Sequence, residues 1–286
     1  MAKYVPENHY KLIKATNTKL NELIMPCNDL RLLPATHRIS AFDLPEVLIQ
    51  DCISPTACDV FYVSIDEHGK YIGEELCYLF YGRNEYRPRY NGQNDYYLPV
   101  CFVFDCSLIN ADVAFPFDTG GYADERYKKH ILPTWDVNRF QFTPSQEKII
   151  GFVQQVYGSN ENYLQCTPKI RPDIQNGSTI LNALLSLYLD MPNENYDKRA
   201  NSIELISRNG VSFEKALRAI ILPAIFYTAK EDAPYIKKLE QERGVKILLY
   251  ENGGNYNEEP LNDMIKDKLK EYYQSIGLLS EYDMFD

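Results

Sequence analysis

The chain has 286 residues, and 45% of them are hydrophobic, which is enough for a sizeable folded core and too much for a disordered tail. Its formal charge of -10 gives no general attraction to phosphate. Contact with a nucleic acid therefore needs a locally cationic surface; a basic obligatory partner is the alternative.

The N-terminus, Met1-Ala-Lys-Tyr-Val-Pro, has no apolar signal core, and no stretch nears the ~20 apolar residues of a membrane span. A cytoplasmic protein without a membrane partner is expected. Seven cysteines without a CxxC pair read as reduced core thiols, and four scattered histidines argue against zinc. The 23 tyrosines offer flat apolar faces with polar tips, suited to clefts and interfaces; a compositional bias without functional meaning accounts for them equally well.

In chain order, residues 8–25 carry Tyr10, Leu12, Ile13, Leu20, Leu23 and Ile24 near helical spacing, and a helix is expected there. A strand fits Leu32 to Ser40, followed by a short helix over Leu44–Ile49 with Asp43 as its N-cap. Residues 76–81 form an aromatic run bounded by Gly82, and Leu98–Phe104 reads as a buried strand. Phe115-Pro-Phe-Asp-Thr-Gly-Gly is turn chemistry flanked by aromatics. Thr143-Pro144 and Gln146 open a helix that Gly158 ends. Another helix fits Thr179–Leu189. Strands fit Ser202–Ser207, Ala219–Leu222 and Val245–Tyr250, with helices over 233–243 and 261–275. Short strands mixed irregularly with helices predict an α+β fold in a single domain over 1–286.

Four constellations bear on chemistry. In a strand over 202–207, Ser202, Glu204 and Ile206 face one way, so a carboxylate and a hydroxyl share a face within an apolar run. A buried charge has to be paired or used; the alternative is an edge strand whose Glu204 points at solvent. Phe80-Tyr-Gly-Arg-Asn-Glu-Tyr-Arg-Pro-Arg-Tyr90 interleaves arginines with tyrosines, a combination that grips phosphate and stacks on a base, or else a solvated turn. Thr36-His37-Arg38-Ile39-Ser40 places an imidazole at a strand end, where a structural hydrogen bond is the competing role. Gly120 and Gly121 permit a close backbone approach to a ligand, or serve a plain turn. The chain has no GxxxxGK[ST], GxGxxG, GxSxG or HExxH, which argues against an ATPase, a Rossmann oxidoreductase, an α/β-hydrolase or a zinc protease.

Three segments, taken in order, resemble an ADP-ribosyltransferase, and specifically the DarT-type family of nucleic-acid-modifying toxins. They are His37-Arg-Ile-Ser-Ala-Phe-Asp-Leu-Pro and the helix after it, Phe80-Tyr-Gly-Arg-Asn-Glu-Tyr-Arg87, and Ser202-Ile-Glu-Leu-Ile-Ser207 followed by Leu217-Arg-Ala-Ile-Ile-Leu-Pro223. The resemblance implies a core of two small packed sheets with surrounding helices, here with an insertion at about 106–175. It implies NAD⁺ as substrate, Glu204 and Arg83 as catalytic residues, and His37, Arg38, Ser40, Asp43, Tyr81 and Arg83 as NAD⁺-binding residues. Tyr86, Arg87 and Ser202 would contact the acceptor, single-stranded DNA or RNA, with an antitoxin protein as a further partner and no metal. Asp43 stands where the family commonly has Asn, and the Phe115–Gly121 segment has no counterpart. A protein acceptor, NAD⁺ hydrolysis and a non-catalytic antitoxin-like module of the same fold are the competing functions.

Overall fold

The computed structural model describes residues 19–57, 75–85, 98–131, 135–169, 178–190, 198–254 and 258–279. Its strands are β1 Ala35–Ser40, β2 Cys52–Ile53, β3 Thr56–Ala57, β4 Glu75–Tyr81, β5 Pro99–Phe104, β6 Val113–Phe115, β7 Glu204–Ser207, β8 Val211–Ser212, β9 Leu217–Pro223 and β10 Lys246–Tyr250. The principal helices are α1 Leu44–Gln50, α2 Thr119–Ala123, α3 Gln146–Val156, α4 Asn160–Leu164, α5 Thr179–Asp190, α6 Ala224–Thr228, α7 Ala233–Arg243 and α8 Glu258–Ser275. Helices and strands mix as an α+β chain, as the pattern of short strands led us to expect. The described residues form two compact units: 19–31 with Asp112–Glu204, and Leu32–Ala57 with 75–85, 98–111 and the chain from Leu205 onward.

The second unit is built on a mixed sheet in the order β10-β9-β5-β1-β4-β7, with β3 on β4. β5 is central because every residue of Pro-Val-Cys-Phe-Val-Phe is buried and its apolar, β-branched and aromatic side chains suit a strand covered on both faces. β1 lies antiparallel between β5 and β4, with His37 opposite Phe102 and Thr36 opposite Phe80. β9 and β10 run parallel and are joined through α6 and α7, as a parallel pair requires. β2 and β8 form a separate antiparallel pair. α8 buries Leu261, Ile265, Leu269 and Tyr273, a stripe at helical spacing.

The first unit is helical and aromatic. Ser145 caps α3 by accepting from the Lys148 N–H, and Gly158, at φ +77°, follows its end as an L residue would not readily do. Lys148 Nζ donates to the carbonyls of Asn21 and Ile24 at 2.8 and 2.6 Å, and Gln155 bonds the backbone of Met25 and Leu23, so the segment before Arg31 is pinned along α3. Of the helix expected over 8–25, Leu20–Leu23 is a single turn, and 8–18 lie outside the described residues. Phe117 packs against Tyr122, Tyr127 and Phe140.

Six cysteines, Cys27, Cys52, Cys77, Cys101, Cys106 and Cys166, carry free thiols, and burial pushes those of Cys77, Cys101 and Cys106 up to about 12. No helix among the described residues is long and apolar enough to cross a membrane.

Gly151 of α3 lies so close to the Met25 carbonyl oxygen that an added Cβ would collide with it. Gly151→Ala should therefore destabilise the first unit by roughly 1–3 kcal/mol, despite alanine's better helix propensity. Urea denaturation followed by circular dichroism measures this, and unchanged stability would show that the Met25 segment is not packed on α3.

Candidate active site

In the first unit a polar cluster gathers on Glu204, the residue that opens β7. Glu204 is 3% exposed, which rules out a solvent-facing carboxylate. Its Oε2 accepts two hydrogen bonds from Thr119, one from the backbone N–H at 3.0 Å and one from the hydroxyl at 2.7 Å. Thr119 is the first residue of α2, and Asp118 caps that helix by accepting from the Gly120 N–H at 3.1 Å. The Asp118 carboxylate is also paired with Arg126 at 3.0 Å and Arg199 at 3.6 Å, and its backbone N–H donates to the Arg199 carbonyl.

Burial, then the charge of Asp118, pushes the Glu204 carboxyl up to about 8, against the opposing pull of the Thr119 bonds and Arg199. The direction follows from the geometry: the Glu204 carboxyl is buried and has a second carboxylate, that of Asp118, in its surroundings, so its neutral form is favoured.

The approach to Glu204 is held by tyrosines. Tyr157 donates to the Asn201 carbonyl at 3.0 Å, the Ile203 N–H donates to the Tyr163 hydroxyl at 3.0 Å, and the two rings meet edge to face. Tyr188 donates to the Pro116 carbonyl at 2.6 Å. These buried tyrosines put their polar tips on backbone groups that would otherwise lose their hydrogen bonds. Ser202 does not share a strand face with Glu204. It precedes β7, next to the turn Lys198–Asn201, and its hydroxyl donates to the Lys198 carbonyl at 2.7 Å.

The second unit holds the other residues expected at the site. His37 and Arg38 are neighbours in β1 and so point to opposite faces of the sheet. The part-buried His37 ring lies with Nδ1 2.7 Å from the Tyr78 carbonyl, and burial holds its pKa below the usual value. A carbonyl can only accept, so the neutral ring carries its proton on Nδ1 and presents Nε2 as an acceptor. Arg38 is buried and bonds Asn262 of α8. Tyr81 is buried and accepts from the Leu33 N–H at 2.9 Å. Ser40 caps the turn Ala41–Asp43 by accepting from the Phe42 N–H. Asp43 occupies the N-cap position of α1, yet its side chain makes no capping bond, because the Ser40 turn already orders this entry. The Asp43 carboxyl sits above its ordinary range through partial burial and the nearby Glu46 charge.

Arg83 follows a tight turn at Gly82, φ +67°, across which its N–H donates to the Tyr81 carbonyl at 2.8 Å. Thr36 donates to the Arg83 carbonyl and Tyr273 to that of Gly82, so the backbone that carries this guanidinium is fixed from β1 and α8. Arg83, Asn84 and Glu85 are all buried. Tyr86 and Arg87 lie outside the described residues. Glu204 thus belongs to one unit, and His37 and Arg83 to the other.

Asp118, Thr119, Arg126 and Arg199 were not expected at a site. An Asp-Thr-Gly-Gly string after an aromatic strand is an N-cap signal as well as a turn signal, and the short helix 119–123 confirms the former. Among the described residues, no group of three or more His, Cys, Asp or Glu is arranged to hold a metal ion. Neither a protein-family model nor a curated protein sequence matches the chain.

Because the Glu204 carboxyl binds its proton more tightly in the fold than its ordinary value of 4.5, stability should fall as pH rises from about 4.5 through about 8. Glu204→Gln keeps an acceptor for Thr119 and carries no charge. It should therefore leave stability nearly unchanged at pH 5 and raise it by a few kcal/mol at pH 9. Thermal melts at the two pH values measure this; a variant less stable at pH 9 would mean that Glu204 is ionised and favourably paired in the fold.

Proposed function

We propose that the chain is an NAD-dependent mono-ADP-ribosyltransferase with an ADP-ribosyltransferase-like core, transferring ADP-ribose from NAD⁺ to an unpaired nucleic-acid base. In this reading it is a cytoplasmic toxin or phage-defence effector of the kind its three segments resemble, open to neutralisation by an antitoxin. The observation that carries the reading is the buried Glu204 carboxyl, with Oε2 committed to Thr119 and its affinity for a proton raised by burial beside Asp118. A carboxyl perturbed by burial beside a specific charge partner is a functional-site candidate.

The chemistry follows from charge. The nicotinamide–ribose bond breaks with its electron pair leaving on nicotinamide, and positive charge builds on the ribose as in glycoside hydrolysis. Ionised Glu204 stabilises that charge in surroundings where water does not screen it. The acceptor nitrogen or oxygen then bonds to the ribose carbon and gives up its proton, for which the carboxylate is the base. A base acceptor has to be unstacked to react. His37 and Arg83 are the NAD⁺-recognition residues that the resemblance implies. The net charge of -10 favours a second reading, in which the same chemistry takes a protein side chain or water as acceptor.

Incubating the purified protein with labelled NAD⁺ and, separately, single-stranded DNA, RNA and cell lysate decides where the label goes. Label on nucleic acid is the expected result; label on protein or only in free ADP-ribose selects the second reading, and no NAD⁺ turnover in any mixture contradicts both. Glu204→Gln should lower transfer by roughly 10²–10³-fold or more while the fold persists. The wild-type kcat/KM should climb with pH to a plateau above about 8, as Glu204 ionises in the free enzyme.

A further inference from the structure

The Phe115–Gly121 segment has no counterpart in the resemblance, yet it supplies both hydrogen bonds to Glu204. We infer that Thr119 is a positioning residue for Glu204, fixing Oε2 with its N–H and hydroxyl so that Oε1 is the oxygen turned toward the reacting ribose carbon; this rests on the transferase reading above.

A glutamate carboxyl turns easily about its last bond, and either oxygen can come forward. Two donors from one residue, at 3.0 and 2.7 Å on the same oxygen, remove that freedom. The donors are themselves anchored. Thr119 starts a helix whose cap, Asp118, is held by the Gly120 N–H, Arg126 and Arg199. Two residues on, Gly121 lies so close to the Tyr127 hydroxyl that any side chain there would collide with it. Thr119 is thus held by its helix cap on one side and by the packing of Gly121 against Tyr127 on the other.

The same bonds have a second effect. Both Thr119 groups donate to Oε2, so they favour the ionised carboxylate, the form that can meet a cation. Asp118 opposes that ionisation and Arg199 assists it, while Arg126 acts through Asp118. Thr119 therefore sets both where Glu204 points and the pH at which it acts.

Two variants of the full chain test this. Thr119→Val removes the hydroxyl but keeps shape and backbone N–H, and Thr119→Ser restores a hydroxyl. The readouts are kcat and KM for NAD⁺ turnover over roughly pH 6–10, and the carboxyl titration midpoint from infrared difference spectra against Glu204→Gln. Thr119→Val should lower kcat/KM for NAD⁺ about tenfold near neutral pH, the worth of one hydrogen bond to a charged group, and should still lower kcat on the plateau above the limb, where only the lost positioning acts. Its rising pH limb and its carboxyl midpoint should both move to higher pH, and Thr119→Ser should recover most of each. A folded Thr119→Val with the wild-type kcat and pH limb overturns the inference, as does a Thr119→Ser that recovers neither. If the wild type turns over no NAD⁺, it is the transferase reading that fails. The midpoint then decides alone, and an unmoved midpoint in Thr119→Val rejects the hold on Glu204.

Discussion

A carboxyl group withdrawn from water must either lose its charge or be given donors, and the first unit meets this constraint at Glu204 in both ways at once. Thr119 supplies two donors to one oxygen, while burial and Asp118 favour the proton. Much of the surrounding architecture serves that balance. Asp118 is paired with Arg126 and Arg199, the helix it caps presents Thr119, and Tyr157 and Tyr163 fix the backbone that delivers Glu204 to its place. A group balanced between two protonation states responds strongly to the arrival of another charge.

The second unit solves a related problem differently. β1 places His37 and Arg38 on opposite faces of one sheet, so the two basic residues take unrelated duties. Arg38 is enclosed against α8 through Asn262, whereas the His37 ring is oriented by the Tyr78 carbonyl and its neutral form is favoured by burial. The Gly82 turn fixes the backbone before Arg83, and Thr36 and Tyr273 hold it there. The backbone that carries the Arg83 side chain is thereby held from two elements, β1 and α8.

What was legible in the sequence divides along a physical line. Elements specified by neighbours in the chain read well: α3 up to Gly158, although its cap is Ser145 and not the Thr143-Pro144 pair expected to open it, β9 up to Pro223, and α7 between Ala233 and Gly244, which takes φ +66°. The alternation of Ser202–Ser207 read as a strand from its first residue, but the turn Lys198–Asn201 delays β7 until Glu204 and sends Ser202 elsewhere. Asp43 was placed correctly but without its expected capping bond, since Ser40 orders the same entry from one turn earlier. The surroundings of Glu204 were not legible, because its hydrogen-bond partner lies 85 residues away, in a segment that read as turn chemistry. No local pattern couples Asp118-Thr119 to Glu204; the fold does.

In the proposed reading, Glu204 is protonated in the free protein near neutral pH and gives up that proton to meet the positively charged nicotinamide–ribose end of NAD⁺. Calorimetric titration of NAD⁺ into the protein at pH 7, repeated in buffers of different ionisation enthalpy, measures the protons exchanged on binding. The wild type should release about one proton per NAD⁺ bound, and Glu204→Gln none. Binding without proton release, or equal release by both proteins, would contradict it.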